Sequence, residues 1–268
     1  MLALLNSSVF KYIFGQLNPT LNFQSGEVAK YPVLLEENER IDELAITNVN
    51  LSKYVWDSFE TSWDFTYHPL VLSTTTIAEA YSKWETTCTA RFNMLKANEE
   101  ELNRIFIEVY SLQDELMPKV EDKDVTVRRA DLQRDVKTFV SYAVGCMFGR
   151  YSLDVGGLSY AGGDWDDSKY STFIPDNDNC IMIADEEYFE DDIVGRFVEF
   201  VKCVYGAENL EENLDFIAKA LGNKENTSRE IIRNYFLNDF FKDHCSTYSV
   251  TGSGKRPIYW LYDSGKQN

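Results

Sequence analysis

From about Ile77 to Met117 apolar residues return at three- and four-residue steps: Phe92, Leu95, Leu102, Ile105, Phe106, Val109 and Leu116. That period places them on one face of a single long helix. Pro118 is expected to end it, because proline lacks the N–H the next turn needs. A helix of this length sets the architecture, since its stripe must be buried against other helices. The same period recurs at Leu132, Val136, Phe139, Val140, Ala143 and Met147. It recurs again over 186–205, with Ile193, Phe197, Val201 and Val204 inward and Gly206 as the stop. Asn209, Glu212 and Gly222 frame a further helix, and TSRE at 227–230 is a capping-box pattern opening another.

Elsewhere the pattern is weaker. Residues 1–14 predict a short apolar helix broken at Gly15 and Asn18-Pro19. LNFQSGEVAKYPVLL reads as strand-like residues about a turn at Ser25-Gly26, and a polar helix begins near Glu36. Two Trp-Asp pairs in WDSFETSWDF are seven residues apart, a spacing that on a helix stacks Trp56 and Trp63 on one face. RPIYWLYD near the end has strand character. The expected fold class is α+β, predominantly helical with a few short strands. The expected organisation is a terminal segment over 1–50, a helical spacer over 51–150 and a loop-rich α+β region over 151–268.

Charge and cysteine content narrow the function. With 26 basic and 44 acidic residues the net charge is −18, which opposes non-specific binding to a phosphate backbone except through a local basic patch. The five cysteines are widely spaced with no C-x-x-C, as expected of reduced thiols in a cytoplasmic protein. Cys146 and Cys203 lie in apolar helical runs and are expected in the core. No apolar run reaches the roughly 20 residues of a membrane span, and no secretory signal is visible. Both ends look cut from a longer protein.

VGCMFGRYSLDVGGLSYAGGDWDD, at 144–167, is the densest candidate for chemistry. A dinucleotide loop needs G-x-G-x-x-G between a strand and a helix, and GGLSYAGG follows a helix without that order. Gly145 and Gly149, four apart, are expected to admit a neighbouring backbone. GSGK at 252–255 lacks the first P-loop glycine, which would be Ser249, and has Arg256 where Ser or Thr should bind magnesium. A calcium loop started at Asp164 or Asp176 places Lys169 or Ile181 where glycine is required. Eight acidic residues and no basic one run from Asp176 to Asp192, a solvated surface or a partner contact. A metal-dependent hydrolase built on Asp164, Asp166 and Asp176 is a remote alternative. His68 and His244 have no evident nucleophile partner, and read as a turn residue and a helix C-terminal cation.

Several long runs resemble one family. FVSYAVGCMFGRYSLD, GLSYAGGDWD, DEEYFEDDIVGRFVEFVK, LEENLDFIAKALG, SREIIRNYFLNDFFKDHC and KRPIYWLYDSGKQN occur in the order found in PglX-like methyltransferases of BREX phage-defence systems. ALLNS, LNPTLNFQSGEVAKYPV, SFETSWDF and HPL extend the resemblance over nearly the whole chain, and towards type IIG restriction–modification enzymes. The resemblance implies a parent that methylates adenine in DNA with S-adenosylmethionine, through an Asn-Pro-Pro-Tyr-type tetrapeptide that holds a flipped base. This sequence has Asn18-Pro19-Thr20 instead. The resemblance therefore implies a part C-terminal to the methylase core, with residues 1–50 closing a target-recognition-type segment. It implies no catalytic, cofactor-binding or metal-binding residue here. DNA reached through the full-length protein, and other defence subunits, are the implied partners. For DNA contact the candidates are Lys255, Arg256 and Lys266 with Tyr259 and Trp260 nearby, then Arg128, Arg129 and Arg134. An acidic protein-interaction module of the same complex is the alternative function.

Overall fold

The computed structural model describes residues 1–18, 25–34, 38–71, 73–222 and 227–248. The chain divides into two compact units, Met1–Val55 with Thr87–Arg129, and Trp56–Thr86 with Ala130–Asn268.

In the first unit, α1 (Leu2–Leu5) and α2 (Ser8–Leu17) meet at Ser7. Its hydroxyl donates to Leu4 O at 2.7 Å and accepts from Phe10 N at 3.2 Å, so one side chain serves both helix ends. A short α3 (Ser25–Val28) follows, then α4 (Glu39–Trp56). The long periodic segment is α5 (Ile77–Val109). Leu102, Phe106 and Ile107 of α5 pack with Leu4, Val9, Phe14 and Leu44. Tyr31 sits against Phe10 and Tyr110, with ring centroids 4.8 and 6.2 Å away. α5 stops before Pro118 is reached: Ser111 adopts φ 55, and Leu112 N bonds back to Ile107 O at 2.9 Å.

The second unit is built on α6 (Leu132–Met147), α7 (Ile193–Tyr205), α8 (Leu210–Leu221), α9 (Ser228–Asn238) and α10 (Phe240–Thr247). From Phe139 to Met147 every residue of α6 is buried, because α7, α8 and α10 all pack on it. Phe139 meets Phe197, Phe200 and Tyr205 at 6.3, 5.6 and 6.2 Å. Burying each such ring removes surface worth about 1.5–3 kcal/mol. Most predicted caps are in place: Gly206 and Gly222 have positive φ, and Thr227 and Glu230 form the reciprocal capping box, whereas Asn209 holds the N-cap position of α8 without a side-chain cap bond. Asn213, fully buried on α8, accepts from Ile77 N at 2.8 Å and so caps the start of α5.

Several expectations are corrected. Among the described residues there is no strand, only an isolated bridge between Met182 and Asp192, so these residues are predominantly helical as expected and the strands of an α+β fold are not found among them. Residues read as strand-like around Ser25-Gly26 include the helical turn α3, and α2 runs through Gly15. RPIYWLYD lies outside the described residues. α4 ends at Trp56, and turns from there to Phe65 separate the two tryptophans, leaving Trp63 fully exposed. α7 begins at Ile193 rather than Glu186, because the Asp192 carboxylate is the cap, accepting from Val194 N and Gly195 N. Cys146 is buried as expected, whereas Cys203 is half-buried.

Candidate functional site

Gly145 and Gly149 leave room for rings, not for a neighbouring backbone. A Cβ on Gly145 would lie 2.6 Å from Tyr151 Cδ2, and one on Gly149 2.5 Å from the Trp165 ring. Trp165 stacks on Tyr170 at 4.8 Å, and Tyr170 OH donates to Gly149 O at 2.6 Å. The loop that follows is tied down from inside. Ser152 Oγ donates to Lys169 O at 2.6 Å, and Lys169 Nζ to Ser159 O at 2.9 Å. Asp154 accepts from Ser171 N and Thr172 N at 2.7 and 2.9 Å. Burial opposes its ionisation, but these bonds and the Thr172 hydroxyl outweigh it and bring its pKa down to about 2. Beside Gly145 and Gly149 the space is thus filled by aromatic side chains, whereas nothing lies within 4 Å of a Cβ built on Gly162 or Gly163.

The aspartates are largely engaged. Asp166 accepts from Ser168 N at 3.1 Å, and Asp167 from Trp165 Nε1 at 2.7 Å. Among the described residues, the acidic group close enough to share a cation is Asp176, Asp178 and Asp191, with ligand atoms within 4.8 Å of one another. Asp164 and Asp166 are not part of it. Asp176 and Asp178 both accept from Cys180 N, at 3.2 and 2.9 Å, the geometry of an ordinary polar turn.

Beside this loop, four distant segments converge on a polar cluster that sequence patterns did not signal. Glu60 accepts from Tyr248 OH, and Arg150 Nη1 donates to the same hydroxyl oxygen at 3.3 Å. Burial raises the Glu60 pKa, outweighing Tyr248, the Arg150 charge, Ser141 and Tyr151. Ser141 Oγ lies 3.0 Å from His244 Nδ1, giving His244 the hydroxyl partner that sequence did not reveal. The order is carboxylate, serine, histidine, with Ser141 buried on α6, so the arrangement orients side chains rather than activating a nucleophile. His244 stacks on Phe240 at 5.2 Å. Burial, then the Arg150 charge, lowers its pKa to about 4, so it is neutral at pH 7 and is not the predicted helix-end cation. A cleft of about 290 Å³ beside the cluster is lined by Lys137, Thr138, Tyr235 and Thr247.

His68 is the predicted turn residue, its carbonyl accepting from Val71 N at 2.8 Å. Its Nδ1 accepts from Leu70 N at 3.2 Å, which leaves Nε2–H to face Thr138 Oγ1 at 2.9 Å. Burial lowers its pKa to about 3. A second polar anchor holds the acid-rich loop. Arg233 Nη1 and Nη2 donate to Asp192 Oδ2 and Oδ1, each at 2.7 Å, and Nη1 also donates to Ala184 O at 2.8 Å.

Lys255, Arg256, Tyr259, Trp260 and Lys266 lie outside the described residues, which end at Tyr248. Arg128 and Arg129 belong to the first unit and Arg134 to the second. Arg129 lies 3.8 Å from the Phe92 ring centroid and pairs with Asp122 at 3.2 Å, while Arg134 pairs with buried Asp135 at 2.8 Å. Asp135 also accepts from Trp84 Nε1 at 3.0 Å. Arg129 and Arg134 are therefore partly neutralised within the fold.

No protein-family model matches the chain. Over 99% of its length it is 50% identical to an adenine-specific methyltransferase PglX of Lacticaseibacillus casei (strain Zhang). The chain is similar to part of that protein. An adenine-specific methyltransferase BrxX of Escherichia coli O9:H4 (strain HS) is 35% identical over all of it. The chain spans only 22% and 24% of these two proteins. Among the described residues no helix is long and apolar enough to cross a membrane.

Proposed function

We propose that the chain is a non-catalytic specificity and scaffold part of a site-specific adenine-N6 DNA methyltransferase of a BREX-type phage-defence system. The observation that carries this reading is full-length similarity to about a fifth of PglX, in a sequence with Asn18-Pro19-Thr20 and no Asn-Pro-Pro-Tyr. Residues 1–50 close a target-recognition-type segment, the helices position it, and S-adenosylmethionine binds elsewhere in the whole protein. DNA is met through Lys255, Arg256 and Lys266, with Tyr259 and Trp260 stacking or packing alongside. The Glu60–Tyr248–Arg150 cluster supports this reading because it fixes the chain seven residues before Lys255.

Two measurements test it. Incubation with labelled S-adenosylmethionine and duplex DNA is expected to give no methyl transfer; transfer by this chain alone would sink the non-catalytic reading. Anisotropy titrations of a labelled duplex between 50 and 200 mM salt are expected to show weak, salt-dependent binding. Lys255→Gln with Arg256→Gln should reduce the salt slope by about 2. A slope unchanged by both substitutions removes this segment from the DNA contact. A second reading, an acidic protein-interaction module, is favoured by Tyr188 and Phe189, which stand exposed in the acid-rich loop. It predicts no binding to DNA even at low salt.

A further inference from the structure

Unit 1 contains a groove of about 560 Å³ between the start of α2, α4 and the middle of α5. Its lining mixes polar groups with the apolar side chains of Leu2, Ala45, Val49, Leu95, Leu102 and Val120. Leu2 and Val49 are exposed, an open apolar surface of the kind a bound segment covers. Within this lining stands Glu99, half-buried on α5, which has no hydrogen-bond or ion-pair partner among the described residues. Burial raises its pKa. The Ser8 hydroxyl, also in the lining, is shielded from solvent and has no partner. The neighbouring amides are already engaged: Asn103 accepts from Ser8 N at 2.8 Å and donates to Pro118 O at 3.2 Å, and Asn98 donates to Asn48 at 2.8 Å. The other charged groups of the lining, Lys11, Lys119 and Asp124, are exposed to water, and Lys119 pairs with Glu121 at 2.9 Å.

We propose that this groove binds a peptide segment in which a lysine or arginine stands between apolar residues, the cation meeting Glu99 and the apolar side chains covering Leu2 and Val49. An unpaired carboxylate in a half-buried apolar setting is unfavourable, and an incoming cation relieves it by supplying both charge and hydrogen-bond donors. The exposed lysines at the rim are screened by solvent and oppose the cation only weakly. A bare amine satisfies Glu99 but leaves the apolar walls open, so the groove favours the peptide. An apolar peptide without the cation leaves Glu99 desolvated.

The test uses the 268-residue chain and a fluorescein-labelled peptide, Ala-Leu-Lys-Leu-Ala, against the same peptide with norleucine for lysine and against butylammonium. The lysine peptide is expected to bind at least fivefold tighter than the norleucine peptide and tighter than butylammonium. Glu99→Gln should abolish the lysine preference. Val49→Arg, a change at an exposed position, should abolish binding of both peptides while leaving the thermal melt in place. Binding should also release protons where free Glu99 is part-protonated, because the cation lowers the raised Glu99 pKa. The proposal is overturned by equal affinity for the two peptides, by a lysine preference that survives Glu99→Gln, by butylammonium binding as tightly as the lysine peptide, or by no binding at millimolar peptide.

Discussion

Replacing Arg233 by methionine tests how the acid-rich loop is held. Methionine keeps the length and apolar stem of the side chain and removes its charge. The Asp192 side chain is 1% exposed and that of Arg233 12%, so the pair is a buried one. In Arg233→Met the carboxylate keeps its bonds from Val194 N and Gly195 N but loses both guanidinium donors at 2.7 Å, and Ala184 O loses its donor as well. Breaking a buried pair from one side costs about 3–5 kcal/mol, against about 0–1 kcal/mol for an exposed pair. Adding Asp192→Asn removes the stranded charge and retains an oxygen to cap α7. The double variant should therefore recover to within about 1–2 kcal/mol of the parent chain. Tryptophan fluorescence in urea is the suitable assay, since Trp56, Trp63, Trp84 and Trp165 all belong to the second unit and the first has none. At a slope of about 1–3 kcal/mol per molar, the midpoint for Arg233→Met should fall by at least about 1 M. A loss below about 1 kcal/mol, or a double variant no better than the single one, refutes the argument. The pH dependence has a definite sign. Burial opposes ionisation of Asp192, but bonds from Arg233, Gly195 and Val194 outweigh it, so the folded pKa lies below the ordinary 3.8. This contribution is present above pH 3.8 and lost as pH falls through the lowered folded value.

His68, buried, and His244, half-buried, give a second pH signature. Their folded pKa values, about 3 for His68 and about 4 for His244, lie below the ordinary 6.5. Stability is therefore full above pH 6.5 and falls below it, by about 1.4 kcal/mol per pH unit for each histidine. Urea midpoints at pH 7, 6 and 5 should show the fall, and His68→Gln should roughly halve it; a flat profile in the parent chain contradicts neutral burial. Gly145→Ala should cost about 1–3 kcal/mol, because Tyr151 is wedged between Tyr142 and Phe65 and cannot yield. Gly149→Ala adds strain at φ +70, whereas Gly15→Ala, with nothing within 4 Å of the new Cβ, should stabilise α2 by about 0.5–1 kcal/mol. Opposite signs in thermal melts check the pair. Thr227→Ala removes one half of the capping box and should cost about 1 kcal/mol.

Local features were legible in the sequence because they depend on residues a few positions apart. The stripe through α5, the buried side of α6, the Gly206 and Gly222 stops and the Thr227–Glu230 box all follow from helical period and capping chemistry. The PglX-like character was equally legible, since it rests on long runs in a fixed order. The end of α5 was not, because Ser111 in a left-handed conformation stopped the helix before proline did. Nor was the start of α7, where eight acidic residues from Asp176 to Asp192 look alike and only Asp192 finds an arginine. That choice depends on α9, some forty residues later. The candidate site shows the same division. Glu60, Ser141, Arg150, His244 and Tyr248 carry no motif, because they belong to four separate segments that meet only when α10 packs on α6. Glycines at 145 and 149 announced close approach, but that rings rather than a backbone or a phosphate would fill the space was decided by where Tyr151 and Trp165 fold back. Period and capping are properties of neighbours along the chain, which sequence fixes. Which polar groups are buried, and with whom, is a property of neighbours in space.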